Sequence, residues 1–254
     1  MSRPPAATTQ RRVAEAYLRT TSHAALPAAP DASVALPGLR RRLGPWFEVA
    51  GRDLVDLGSG TGELCRLARD AGARRIVGVN LSADELAYAR AWVGAGVDFV
   101  CQDAAEYLEG CANESLDVVF AMNFLEHLDK DTLVRILEAS HRCLRPGGAL
   151  VAMVPNATSP FGAMTRYWDI THQLAFTPSS VRQLARLTGF GEAAEFRECG
   201  PVPYGPVSVL RYLLWQGIRL LIRGYLAVEL ASAKGAVYTA DMLVRLRKAP
   251  RGES

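Results

Sequence analysis

Between Asp53 and Asn80 the chain reads DLVDLGSGTGELCRLARDAGARRIVGVN, and few folds accommodate that stretch. Leu54, Val55 and Leu57 form an apolar run that ends in Gly58-Ser59-Gly60-Thr61-Gly62. Leu64, Leu67 and Ala68 then recur at helical spacing, Gly72 closes the helix, and Ile76, Val77 and Val79 form a second apolar run. The reading is strand, glycine-rich turn, helix, strand. Glycines let the backbone bend sharply and let a ligand approach where a side chain would stand. The helix beyond begins with unpaired N–H groups and a partial positive charge, which suits a carboxylate or phosphate. Asn80, at the tip of the second strand, can hydrogen-bond ribose hydroxyls by the logic of dinucleotide folds.

The alternation continues along the chain. Residues 82–92 read as a helix with a capping box made by Ser82 and Glu85. Residues 97–101 read as a third strand ending at Asp103, and 116–120 as a fourth ending at Asn123. A helix over 131–143, a turn over 144–148 and a fifth strand over 149–154 follow. Ser179 or Ser180 caps a helix over 181–188, and strands over 193–198 and 238–247 complete the set. This pattern predicts an α/β fold with a doubly wound, mainly parallel seven-stranded sheet. Its ligand belongs beyond the carboxyl ends of the strands, where strand order reverses. The expected organisation is an N-terminal arm and cap helices over 1–48 and a cofactor-binding core over 49–200. A helical insertion over 201–235 and a last strand with a tail over 236–254 complete it. Within the arm, helices are expected over 11–19 and 39–49, with loop over 20–38.

The turn is not the dinucleotide fingerprint, whose third glycine stands three residues after the second. Here Asp56 precedes glycines at 58, 60 and 62, and Leu125-Glu126-His127-Leu128 and Leu144-Arg145-Pro146-Gly147-Gly148 follow at later positions. Together these segments resemble the class I S-adenosylmethionine-dependent methyltransferases, in their small-molecule branch. The resemblance implies S-adenosylmethionine as cofactor. It implies that Asp56 orients the methionine end, and that Gly58, Ser59, Gly60 and Gly62 form the cradle. Asn80 and Leu81 would meet the ribose, Asp103 the adenine amino group and Ala104 the ring. Asp103 is otherwise a helix cap, and Asn123, which opens the loop after the fourth strand, either lines the methyl-transfer pocket or terminates the strand. Most relatives carry Asp or Glu where this chain has Asn80, so the ribose contact here lacks a charge. The expected reaction is methylation of a small-molecule hydroxyl on a sugar, secondary metabolite or lipid-linked intermediate. The alternatives are methylation at carbon or nitrogen, or an inactive methyltransferase-like partner subunit. The glycine spacing and the absence of a Tyr-x-x-x-Lys pair count against a dinucleotide oxidoreductase.

A hydroxyl acceptor needs somewhere to leave its proton, and histidine titrates near neutrality. His127 and His172 occupy pocket-like positions; each is either a base or a structural hydrogen-bonding group. Tyr167, Trp168, Phe176 and Tyr204, with Phe161, either wall the acceptor site or form a hinge. Glu126, His127 and Asp129 are too close in sequence to face one another on a helix, so no metal site is expected. Lys and Arg number 29 against 26 Asp and Glu, a net charge of +3 with no concentrated basic tract, which argues against a nucleic-acid partner. The five cysteines show no C-x-x-C spacing, and no signal-like or membrane-spanning apolar run is present, so a cytoplasmic setting is expected. Residues 207–231 form an amphipathic helix with Arg211, Gln216, Arg219, Arg223 and Glu229 on one side. Leu213, Leu214, Leu220, Leu221, Tyr225 and Val228 lie on the other, and Gly217 and Gly224 are points where it could kink or split. It either covers the substrate mouth, pairs with a second subunit, or lies on a membrane surface.

Overall fold

The computed structural model describes residues 32–192, 194–229 and 236–252. Seven strands form one sheet: β1 (Asp53–Leu57), β2 (Arg75–Asn80), β3 (Asp98–Cys101), β4 (Leu116–Met122), β5 (Leu144–Pro155), β6 (Ala194–Glu198) and β7 (Asp241–Arg247). Their order is β3-β2-β1-β4-β5-β7-β6. The first five pair in parallel, and β7 runs antiparallel to both β5 and β6. The chain leaves β1 towards β2 and β3 and later returns on the other side of β1 to form β4, so strand order reverses between β1 and β4. That is the seven-stranded, mainly parallel, doubly wound sheet the alternation predicts.

The strands read as continuous apolar runs because both faces are covered. Val55, Val77, Val119, Leu150 and Ala152 point into one core. Their neighbours Leu54, Ile76, Val118, Phe120 and Val151 point into the other. Eight helices are described: α1 (Ala32–Leu43), α2 (Glu63–Asp70), α3 (Ala83–Val93), α4 (Ala104–Gly110), α5 (Lys130–Cys143), α6 (Gly162–Tyr167), α7 (Pro178–Leu187) and α8 (Pro206–Glu229).

Several local expectations are corrected. The helix expected over 11–19 lies outside the described residues. Of the expected loop over 20–38, residues 20–31 lie outside the described residues and 32–38 belong to α1, which runs through Pro37; the helix ends at Leu43, and a 3-10 turn over Gly44–Trp46 follows where the helix was expected to continue. The expected turn at 144–148 sits inside β5. Leu144 pairs with Leu116 before it and Ala149 with Val118 after it, so it is an irregularity within a strand. The cap of α7 is Thr177, in a reciprocal box with Ser180, rather than Ser179 or Ser180.

The helix α8 is continuous, uninterrupted at Gly217 and Gly224. Part of its polar side meets the protein: Arg219 pairs with Glu198 at 3.1 Å, and the Trp215 indole donates to Glu198 Oε2 at 3.3 Å, while Arg211 and Arg223 are exposed. The apolar stripe faces outward, with Leu220 71%, Leu221 75% and Val228 89% exposed. None of its described residues lines the central cavity. Among the described residues, no helix is long and apolar enough to cross a membrane.

Candidate functional site

A cavity of roughly 440 Å³ opens at the carboxyl ends of β1, β2, β3 and β4, around the reversal point. Gly58, Gly60, Asn80, Leu81, Asp103, Ala104 and Asn123 line it, and so does His127. The ends of β2, β3 and β4 thus deliver the polar residues Asn80, Asp103 and Asn123, and the end of β1 delivers Gly58 and Gly60, to one crevice, as open α/β sheets do.

The glycines of the turn divide the work. All three have positive φ, where L side chains are strained. A Cβ on Gly60 would meet no atom closer than 4.0 Å, so its missing side chain leaves open space at the cavity wall. A Cβ on Gly58 would stand 2.5 Å from the Phe124 ring. A Cβ on Gly62 would stand 2.9 Å from Val93, so Gly62 serves packing and does not line the cavity. Ser59 is also set back: it is 6% exposed, with a hydroxyl that has no hydrogen-bond partner. Asp56 lies beneath the turn rather than in the cavity. Its Oδ2 accepts from the Cys65 thiol at 3.6 Å, and burial pushes its carboxyl up to about 8 despite that bond.

Asn80 is fixed by a residue the sequence reading used otherwise. Its Nδ2 donates to Glu85 Oε2 at 2.7 Å, and its Oδ1 accepts from the Leu81 N–H at 2.8 Å. Ser82 caps α3 by accepting from the Glu85 N–H at 3.2 Å. The Glu85 side chain turns away from the reciprocal half of a capping box and into the cavity wall. The carboxylate missing at position 80 is therefore supplied from position 85. Burial raises the Glu85 pKa, against the hydrogen bond from Asn80. Asp103 caps α4, its Oδ1 accepting from the Ala105 and Glu106 N–H groups at 2.9 and 3.2 Å, while still lining the cavity.

Beyond β4 the wall changes character. Asn123 adopts φ +51°, a conformation asparagine tolerates better than most residues. His127 Nδ1 meets Thr171 Oγ1 at 2.7 Å, and the Thr171 hydroxyl donates to Asp169 Oδ1 at 2.7 Å. Burial, and then the neighbouring His172, hold the His127 pKa down at about 4. His172 stands behind it and does not line the cavity; the two rings meet edge to face with centroids 4.8 Å apart. Its Nδ1 meets the Thr165 carbonyl at 2.9 Å. Glu126 is buried beside them, and desolvation lifts its carboxyl to about 8. Glu85, Glu126, Thr171 and Asp169 were not singled out in sequence as site residues; only the strand-end position of Asn80 hinted at a nearby carboxylate.

The aromatic residues expected around the acceptor part ways. Phe176 is 4% exposed and packs in the core against β5, which removes it from any acceptor wall. Tyr167 and Trp168 are each 78% exposed, and Tyr204 lies over the Arg41 guanidinium at 4.0 Å. None of the three lines the cavity.

A family model described as a methyltransferase domain matches residues 54–148. No curated protein matches by sequence. Among solved structures, the chain is similar to a SAM-dependent methyltransferase from Archaeoglobus fulgidus, with TM-score 0.63 and 21% identity over 85% of this chain and 94% of that one. It is also similar to an S-adenosylmethionine-dependent methyltransferase from Mesorhizobium loti, with TM-score 0.59 and 23% identity over 85% of this chain and all of that one. The [4+2]-cyclase SpnF shares the fold at TM-score 0.55 and 21% identity, covering 86% of this chain and 81% of its own. One fold therefore hosts different chemistries, and the acceptor reaction has to be argued from the site. The matched domain model over residues 54–148, the sheet order and the glycine turn at the reversal point agree with one another, and the chain shares the fold of these methyltransferase structures.

Proposed function

We propose that this enzyme methylates a hydroxyl group of a small molecule. Bound S-adenosylmethionine supplies an electrophilic methyl group on a cationic sulfur. The cavity fits that cofactor: Gly60 leaves its wall open, and Asn80 with Glu85 offers an amide and a carboxylate on one side. The Gly58–Gly60 backbone would take the methionine end, Asn80, Leu81 and Glu85 the ribose, and Asp103 and Ala104 the adenine. Asn123, His127 and Thr171 would face the acceptor.

The observation that carries oxygen as the methylated atom is the Asp169–Thr171–His127 chain of hydrogen bonds reaching the cavity. A hydroxyl must shed a proton as it is methylated, and this chain orients an imidazole at the place where that happens. His172 supports the His127 ring from behind rather than meeting the acceptor. The test is methyl transfer from labelled cofactor to panels of hydroxyl, amine and carbon acceptors. Labelled O-methyl products support the reading, and products only at nitrogen or carbon overturn it.

The outward stripe of α8 favours an acceptor carried on a lipid surface. Leu213, Leu214, Leu220, Leu221 and Tyr225 are 59% to 75% exposed, and Arg211 and Arg223 are exposed beside them. No carboxylate occurs between Pro206 and Val228. A basic helix with an uncovered apolar stripe suits the interface of an anionic bilayer. The protein is expected to float with phosphatidylglycerol vesicles and to lose that binding in Leu220→Asp/Leu221→Asp. A dimer in solution that the same pair of substitutions dissociates would instead assign the stripe to a second copy.

A further inference from the structure

Behind the His127 side of the cavity lies a carboxylate, one oxygen of which has no hydrogen-bond partner among the described residues. The residue is Glu126, 1% exposed, and the oxygen is its Oε2. Its backbone carbonyl is satisfied by the N–H groups of Gln173 and Leu174 at 2.7 and 3.0 Å. An orphaned, buried carboxylate oxygen is costly unless something positive meets it. One donor atom from each of Glu126, His127 and His172 lies within 4.8 Å of the others.

The cluster is braced by bonds that leave its donor set assembled. Glu126 and His127 sit on a 3-10 turn just beyond β4, and His172 on the loop after α6. The loop is stitched to the turn by Gln173 and Leu174, and Arg166 donates to the carbonyls of His172 and Gln173. His172 meets a backbone carbonyl through Nδ1, and His127 meets the Thr171–Asp169 pair through Nδ1. Metal-ligating histidines are commonly oriented by a hydrogen bond to a carbonyl or a carboxylate-backed group.

We propose that Glu126, His127 and His172 bind a divalent first-row transition cation just behind the His127 wall of the cavity. Two imidazoles and one carboxylate suit Zn²⁺, Fe²⁺ or Mn²⁺ and match the three-ligand sites that keep positions for substrate. Donors about 2.1 Å from a tetrahedral ion stand about 3.5 Å apart, so the three side chains draw together on binding. Such an ion would take His127 as a ligand and fix the imidazole wall of the cavity, and His127 held in this way would no longer serve as the acceptor's base. The ion's binding does not rest on the acceptor reading above.

The full chain, stripped with chelator and dialysed, is titrated with Co²⁺ by visible absorption and with Zn²⁺ by calorimetry. The expected result is one ion per chain, with Glu126→Gln and His172→Ala each weakening binding at least about tenfold. His141→Ala, remote from the cluster, should bind as the parent does. Circular dichroism and S-adenosylmethionine affinity, unchanged in each variant, show that the fold is intact. Absence of a stoichiometric ion, or binding that survives both substitutions, overturns the proposal. Stoichiometric binding with products only at nitrogen or carbon overturns the hydroxyl reading and leaves the site standing.

Discussion

The two halves of the cavity are built on different plans. On the β1–β3 side, polar groups are tied within the chain: Asn80 bonds Glu85 and its own neighbouring N–H, and Asp103 caps a helix. Shape there comes from backbone, with Gly58 and Gly60 at positive φ. On the side beyond β4, the lining draws on two distant segments, with Asn123 and His127 from one and Thr171 from the other, and Glu126 behind it keeps an oxygen with no hydrogen-bond partner among the described residues. The first half is preorganised for one constant ligand. The second holds reactive groups in reserve, which is what a site for variable chemistry needs.

The sharpest way to break this contrast is Gly60→Arg. The side chain would enter the one stretch of wall that is open, at a φ of +50° that arginine disfavours. Affinity for S-adenosylmethionine in equilibrium dialysis should fall at least about a hundredfold, or roughly 2.7 kcal/mol. Gly62→Ala supplies the contrast: its Cβ would strike Val93, so thermal stability should fall while cofactor affinity changes far less. If both variants lost affinity equally, the division of labour between the glycines would be wrong.

Next in size is Glu85→Gln. The substitution keeps the shape, removes a buried charge and leaves Asn80 facing an amide. Cofactor affinity should weaken about tenfold, in line with the loss of one charge-assisted hydrogen bond of about 1.5 kcal/mol. Binding of a cation at Glu126 should not change. An unaltered cofactor affinity would mean that Asn80 alone meets the ribose.

The same asymmetry explains how far the sequence could be read. The sheet was legible because each buried strand is a short apolar run and each crossover helix has its own periodicity. The turn was legible because glycine at 58 and 60 answers a local backbone demand. Glu85 was misread because its N–H does cap α3 while its side chain goes elsewhere. The cluster of Glu126, His127 and His172 had no local signature. Adjacent residues on a regular helix cannot converge, but a 3-10 turn and a loop 45 positions away can bring a third group to them. Phe176 was misplaced because apolar character alone does not distinguish a pocket wall from a core. The orientation of α8 stayed open in the sequence because an amphipathic pattern gives two faces without saying which one meets Glu198.

The smallest expected effect on the cavity belongs to Asp56, whose carboxyl lies under the turn rather than in it. Asp56→Asn should leave cofactor affinity within about threefold, well under 1 kcal/mol. Its signature is in stability against pH. Burial raises the folded-state pKa to about 8 from an ordinary 3.8, so the folded chain holds a proton that the unfolded chain releases. That contribution is complete below about pH 4 and is lost as pH rises towards 8, at up to about 1.4 kcal/mol per pH unit for one proton. Glu126 acts in the same direction, so the parent and Asp56→Asn are melted side by side at each pH. The parent should lose melting temperature between pH 5 and pH 8 more steeply than the variant, whose amide has no proton to release. Parallel slopes would mean that the Asp56 carboxyl is already ionised in the folded protein, and would return it to the role of a charged contact for the cofactor's methionine end.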